Sequence, residues 1–77
     1  MFSDFRQDAK MLAKANHLTY AMIAKQAGVE ESTIKAFMCG ANDSRRVAEK
    51  IADVLGKTLV YSNGIYTLTN KEENENV

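Results

Sequence analysis

Apolar residues recur every three to four positions in four successive stretches of the chain, and this spacing predicts four short helices. The first helix is expected over residues 3–15, with Ser3 placed as its N-cap. The apolar face of this helix consists of Phe5, Ala9 and Leu12. The second helix is expected over residues 20–27 and ends at Gly28, because glycine readily adopts the left-handed backbone that closes many helices.

Two further helices are expected after short joints. The third has Ile34 and Phe37 on one face and stops at Gly40. A loop of small and polar residues separates it from the fourth, which closes at Gly56. The apolar face of the fourth helix consists of Val47, Ala48, Ile51, Ala52, Val54 and Leu55. Four helices are therefore expected within residues 3–55.

The pattern changes from helical to strand-like after the fourth helix. Two stretches rich in β-branched and aromatic residues, 58–62 and 65–69, flank the dipeptide Asn63 and Gly64. Asn-Gly between two such stretches is the strongest short-range signal for a hairpin. The sequence therefore predicts a β-hairpin over residues 58–69.

A two-residue turn fixes which side chains of this hairpin share a face. One face pairs Leu59 with Leu68 and Tyr61 with Tyr66. The opposite face holds Thr58, Val60, Ile65 and Thr67. Because an isolated hairpin is marginally stable in water, one face is expected to pack on the helices or on another chain.

The length of 77 residues allows one small domain, which we expect to span residues 1–69. Residues 70–77 contain one lysine and three glutamates, and they are expected to form a disordered acidic tail. The whole chain carries 10 basic and 10 acidic residues. Within residues 1–69 nine basic residues stand against seven acidic ones, so the expected domain is mildly basic.

Several classes of function find no support in the composition. The single cysteine, Cys39, cannot form an internal disulfide, and no Cys/His cluster has metal-ligand spacing. No paired carboxylates or phosphate-cradling glycine loop is visible, so we expect no catalysis and no cofactor. No apolar run approaches the roughly 20 residues that span a bilayer, and no secretion signal is recognisable. We therefore expect a cytoplasmic protein outside the membrane.

The second and third predicted helices carry the most informative spacing. Ala24 is followed by Gly28 four positions later, and Ile34 and Phe37 follow at six and nine positions after that glycine. Two helices that meet steeply across a short turn need a small residue at the crossing, positive φ in the turn and two apolar anchors on the second helix. This segment resembles the helix-turn-helix of the lambda-repressor-like (Cro/repressor, XRE-type) family, and the resemblance covers residues 5–56.

The resemblance implies a mainly α fold, a four-helix lambda-repressor-like helix-turn-helix domain followed here by the C-terminal β-hairpin. It also implies a small sequence-specific regulator of phage or mobile-element type that binds double-stranded DNA. In that family the second helix of the motif lies in the major groove, and the N-termini of neighbouring helices contact phosphates. The base-facing positions are Glu31, Ser32, Lys35 and Ala36. The phosphate positions are Thr19, Tyr20, Asn42, Arg45 and Arg46.

Arg45 and Arg46 have two interpretations. Arginine at the start of a helix opposes the helix dipole and costs a few tenths of a kcal/mol, so a bound phosphate would account for both side chains. Alternatively the two arginines are a solvated pair, or are balanced by Glu49 one turn later.

Glu30 and Glu31 leave a second function open. Both carboxylates suit the positive end of the third helix by roughly 0.3 to 1 kcal/mol. The same helix end would point them toward DNA phosphates, and only a cytosine amino group would donate well to one of these carboxylates. The alternative function is an anti-repressor or modulator, whose helix-turn-helix binds a partner repressor protein instead of DNA.

The hairpin is the expected site of self-association. Cro-type regulators with β structure after the helices use it for dimer contact, so the resemblance implies a homodimer. The contact residues are expected to be Leu59, Tyr61, Tyr66 and Leu68. A dimer would place two reading helices one DNA turn apart and double the phosphate contacts, which a weakly basic protomer needs.

Overall fold

The computed structural model describes residues 1–71, and residues 72–77, most of the expected acidic tail, lie outside the described residues. The chain forms four helices followed by two antiparallel strands. They are α1 (Ser3–Ala15), α2 (Tyr20–Ala27), α3 (Glu31–Met38), α4 (Arg45–Val54), β1 (Lys57–Ser62) and β2 (Ile65–Asn70). The predicted four helices and C-terminal hairpin are thereby confirmed. Asn70, assigned to the tail from sequence, is the last residue of β2 because it pairs with Lys57 across the hairpin.

Hydroxyl side chains cap the N-termini of two of the helices, α2 and α4. The Thr19 hydroxyl accepts a hydrogen bond from the Met22 backbone N–H at 3.1 Å, and the Ser44 hydroxyl accepts one from the Val47 N–H at 3.2 Å. Each bond satisfies a backbone donor that has no partner inside its helix. The prediction that Ser3 caps α1 is wrong: Ser3 is already the first helical residue.

The residue in the N-cap position of α1 is Phe2, which makes no side-chain cap and is 1% exposed. Its ring lies among the rings of Phe5, Phe37 and Tyr66, with centroid distances of 6.0, 5.1 and 4.3 Å. These four rings come from the N-terminus, α1, α3 and β2. The aromatic cluster therefore joins the helices to the hairpin.

The aliphatic part of the core comes from all four helices. Its buried members are Ala9, Ala13, Ile23, Ala24, Ile34, Met38, Val47, Ala48, Ile51 and Ala52. The predicted anchors of α3, Ile34 and Phe37, are both 0% exposed. Leu12, predicted on the inner face of α1, is half-buried, and Ala13 beside it is buried instead.

The connection between α2 and α3 is three residues long. Gly28 has φ of 75° and ψ of 31°, the left-handed conformation that the sequence predicted for this position. The N–H of Val29, the next residue, bonds to the Ala24 carbonyl at 3.0 Å, and the Ala24 side chain is buried. The chain therefore reverses direction at once, and α3 packs on both α2 and α4.

The hairpin has the predicted register and turn. Tyr61 pairs with Tyr66 and Leu59 with Leu68, and φ is positive at both Asn63 (53°) and Gly64 (80°). Positive φ at both central residues is what a type I′ turn requires. β1 packs on α4 and β2 packs on α1. The hairpin therefore contacts the helices through the face that carries Leu59, Tyr66 and Leu68, which is called the inner face.

The hairpin residues predicted for dimer contact differ in how far their side chains are exposed to solvent. Tyr66 is buried, and Leu59 and Leu68 are half-buried against the core of the same chain. Tyr61 lies 4.7 Å from Tyr66 between ring centroids and is 57% exposed. Within one protomer, Tyr61 is thus the member of this group with the most surface left free.

Candidate nucleic-acid interface

The outer face of α3, defined as Glu31, Ser32, Lys35 and Ala36, is directed away from the core. With 3.6 residues per turn, the burial of Ile34, Phe37 and Met38 on one side leaves these four positions on the other. Glu31, Ser32 and Lys35 are exposed, and Ala36 is half-buried. All four positions predicted to face bases therefore share one side of one helix.

The charges on the outer face of α3 are partly paired. The Lys35 ammonium lies 3.3 Å from a Glu31 carboxylate oxygen, and both side chains are about half exposed or more. Such exposed i,i+4 pairs contribute only about 0.3 to 0.5 kcal/mol, so the pair can open when a competing partner arrives. Glu30, just before α3, is exposed and makes no side-chain cap.

The start of α2 places its two predicted phosphate residues in different environments. Thr19 is exposed while its hydroxyl accepts the capping hydrogen bond of α2. Tyr20 is half-buried and packs against the hydrophobic core. Tyr20 therefore has a packing role in addition to any contact that it makes outside the chain.

The start of α4 carries two arginines that differ in their partners. Arg45 lies 3.3 Å from the Glu49 carboxylate, one turn along the helix. Arg46 is exposed and has no salt-bridge partner within residues 1–71, and the residue one turn after it is Lys50. The balancing by Glu49 that sequence offered as an alternative therefore applies to Arg45 and not to Arg46.

Asn42 is half-buried and engaged by the backbone around it. Its side-chain oxygen accepts from the Ser44 N–H at 3.3 Å, and its carbonyl oxygen accepts from the Arg6 guanidinium at 2.7 Å. The loop that joins α3 to α4 is therefore held by hydrogen bonds within the chain. Asn42 lies in this loop, which comes between α3 and the arginines of α4 in the chain.

Arg6, which the sequence did not single out, donates hydrogen bonds from its guanidinium to three acceptors at the end of α3 and in the loop after it. The Nε atom donates to the Phe37 carbonyl at 2.6 Å, and Nη2 donates to the Asn42 carbonyl and, at 2.8 Å, to an Asp43 carboxylate oxygen. A signal was present, because Arg6 lies three positions before Ala9, beside the predicted apolar face of α1. A lone cation at an inward helical position needs a buried partner.

The described residues, 1–71, give little support to metal binding, catalysis or a membrane-spanning segment. No group of three His, Cys, Asp or Glu side chains among residues 1–71 is arranged to hold a metal ion. Cys39 is an exposed free thiol, and His17 is exposed at the joint between α1 and α2. No helix among the described residues is both long and apolar enough to cross a bilayer.

Comparison with protein-family models, with curated proteins and with solved structures found no match to this chain.

Proposed function

We propose that the protein is a small sequence-specific DNA-binding transcriptional regulator of the lambda-repressor-like helix-turn-helix type, from a phage or other mobile element, with α3 as the helix that enters the major groove. The observation that carries the proposal is the division of α3 into two sides. Ile34 and Phe37 are completely buried, while Glu31, Ser32 and Lys35 project into solvent. A short, rigidly backed helix with a polar free face is what major-groove reading requires.

The bases would be read by side chains of suitable chemistry on the outer face of α3. Lys35 can donate to guanine, Ser32 can donate or accept, and Glu31 can accept from a cytosine amino group. Ala36 offers a methyl group to thymine. The Glu31 and Lys35 pair opens in this arrangement, so that each charge is matched by a base edge instead.

The phosphates on either side would be held from the starts of α2 and α4. Arg46, which lacks an ion-pair partner among the described residues, is the strongest of these contacts, and Arg45 joins it by exchanging Glu49 for phosphate. The exposed Thr19 and the loop residue Asn42 contribute polar contacts. These positions flank α3 in the chain. Contacts to the DNA phosphates on either side of a reading helix fix the orientation of the protein on the duplex.

A homodimer through the hairpin completes the proposal. Residues 58–69 contain no charged side chain, so two copies related by a twofold axis meet without repulsion between like charges. Since Tyr66 is covered within the protomer, the contact uses Tyr61, the exposed residue of the predicted face, and the opposite face, where Ile65 is 45% exposed. The predicted face then packs mainly within the protomer, and the opposite face lies between protomers.

The second candidate function is an anti-repressor or modulator that binds a repressor protein through the same surface. It is favoured by the exposed carboxylates of Glu30 and Glu31 at the start of α3. An acidic surface of this kind fits a basic DNA-reading surface on another protein better than it fits phosphate.

One titration separates the two functions. The protein is mixed with random 30-bp duplex at about 50 mM and about 200 mM salt, and retention of the duplex is measured. Four arginines in a dimer predict an affinity that falls by about a hundredfold over this range. Absence of binding at the lower salt, together with co-purification of a helix-turn-helix repressor from the native host, supports the second function and contradicts the first.

A further inference from the structure

Arg6 connects α1 to the end of α3 and to the following loop through one guanidinium group. Its three hydrogen bonds go to Phe37, the penultimate residue of α3, and to Asn42 and Asp43 in the loop. The same guanidinium carbon lies 4.7 Å from the centroid of the Phe37 ring and 5.6 Å from that of Phe2. The Arg6 side chain is 16% exposed, so these contacts form in a largely dehydrated setting.

The α3–α4 loop, residues 39–44, depends on Arg6 for tertiary attachment. Its other side-chain hydrogen bonds are local: Cys39 to Ala36, Asn42 with Ser44, and Ser44 with Val47. Gly40, at φ of 89°, has left-handed backbone that favours glycine. Arg6 thus supplies the side-chain contacts that tie the loop to an element distant in sequence.

We infer that Arg6 is the positioning residue of the interface, which holds the α3–α4 loop and sets where Arg46 lies relative to the outer face of α3. This inference rests on the proposed function, since the distance between a base-reading helix and a phosphate contact fixes the register on DNA. A lysine cannot replace arginine here, because a single ammonium lacks the planar fork that reaches several acceptors and stacks on a ring.

Arg6 has a second effect on the same loop through charge. Asp43 carries the one carboxylate of the loop, and its side chain is 64% exposed close to the start of α4. Paired with Arg6, this carboxylate repels an approaching phosphate less than a free one would. The guanidinium therefore both fixes the loop and offsets its negative charge.

The test compares two affinities for each variant. One probe is a duplex enriched from a random pool by selection with the wild-type protein, and the other is an unselected random duplex. The ratio of the two affinities measures register on DNA, whereas loss of stability alone lowers both affinities together. In Arg6→Lys the net charge is unchanged, and we expect the ratio to fall about tenfold, the size of one lost base contact.

Asp43→Asn is the matched control, because it removes the ion pair and leaves both backbone carbonyl acceptors of Arg6 in place. We expect its ratio to stay within about twofold of wild type and its affinity for random duplex to rise, since a negative charge near phosphate is gone. A ratio in Arg6→Lys equal to that of wild type overturns the inference. So does an Asp43→Asn ratio as low as that of Arg6→Lys.

Gly40→Ala covers the case in which Arg6→Lys does not fold. An added Cβ at Gly40 meets no atom within 4 Å, so the substitution strains the loop through its φ alone and leaves Arg6 intact. The affinity ratio of this variant is expected to fall as well, and an unchanged ratio overturns the inference. Failure of the wild-type chain to bind any duplex is a different result, which contradicts the proposed function itself.

Discussion

The ring of Phe2 stacks on the ring of Tyr66, with centroids 4.3 Å apart and planes within 5° of parallel. The carbonyl of Met1, the preceding residue, accepts a hydrogen bond from the Tyr66 N–H at 2.9 Å. Phe2 also meets Phe37 of α3 edge to face at 5.1 Å. The N-terminus therefore lies between the hairpin and the helix proposed to read DNA, and it fixes one against the other.

Truncation of Phe2 is expected to destabilise the whole fold. Phe2→Ala should lower the free energy of unfolding by about 3 to 5 kcal/mol, because a buried ring is lost and a cavity remains. Phe2→Leu, which retains most of the volume, should cost about 1.5 kcal/mol or less. Denaturant titration gives both values, and Met11→Ala, at an exposed side chain of α1, serves as the control. An equal loss for Phe2→Ala and Met11→Ala would contradict this role.

The outcome for Phe2 shows where sequence reasoning about the fold failed. The helices and the hairpin register followed from periodicity and from Asn63 and Gly64, which are local signals. Phe2 precedes the first periodic stretch, so nothing local distinguished it from a free end, and Ser3 was taken as the cap instead. Its burial depends on Tyr66, more than sixty positions away, and no spacing rule carries that information.

The turn between α2 and α3 gives a second test. Gly28→Ala should lower the free energy of unfolding by about 1 to 2 kcal/mol, because a Cβ disfavours the left-handed backbone of this residue. The cost is conformational, since an added Cβ would meet no atom within 4 Å. Gly28→Asn should cost less than Gly28→Ala, because asparagine tolerates this conformation. Equal stability of the alanine variant and wild type would show that the turn does not need glycine.

Self-association through the hairpin can be tested at its exposed face. The wild-type protein should sediment with twice the protomer mass of 8.6 kDa at micromolar concentration. Ile65→Lys should shift it to the monomer, since a twofold axis brings the two new charges together. Met11→Lys, at an exposed apolar residue of α1, is the control and should remain a dimer. A wild-type monomer, or a dimer that survives Ile65→Lys, would contradict the proposed contact.

The two arginines of α4 should contribute to DNA binding through salt-dependent phosphate contact. Because each substitution occurs twice in the dimer, Arg46→Ala is expected to reduce the slope of log affinity against log salt by about 2, and Arg45→Ala with Arg46→Ala by about 4, equally for all sequences. Lys71→Ala removes the same charge beside Asp53, near the other end of α4, and should leave the slope unchanged. An unchanged slope in the double variant would show that neither arginine contacts phosphate.

The candidate interface was only partly predictable from sequence, because some of its contacts join residues that are far apart in the chain, as the contact of Phe2 with Tyr66 does. The outer face of α3 followed from the spacing of Ile34 and Phe37, because the buried side of a short helix determines its free side. The difference between Arg45 and Arg46 depends on which of them reaches Glu49, and the place of Asn42 depends on Arg6, 36 positions earlier. These are tertiary facts that a single sequence does not encode in any local pattern.

Amide chemical shifts of the ¹⁵N-labelled protein, recorded during titration with a 16-bp duplex at low salt, test the central proposal most directly. If α3 reads DNA, the largest shifts fall on the outer face of α3 and on the first residues of α2 and α4, while the amides of β1 and β2 move little. No shifts at excess duplex, or shifts confined to α1 and the hairpin, would contradict the assignment of α3 as the DNA-reading helix.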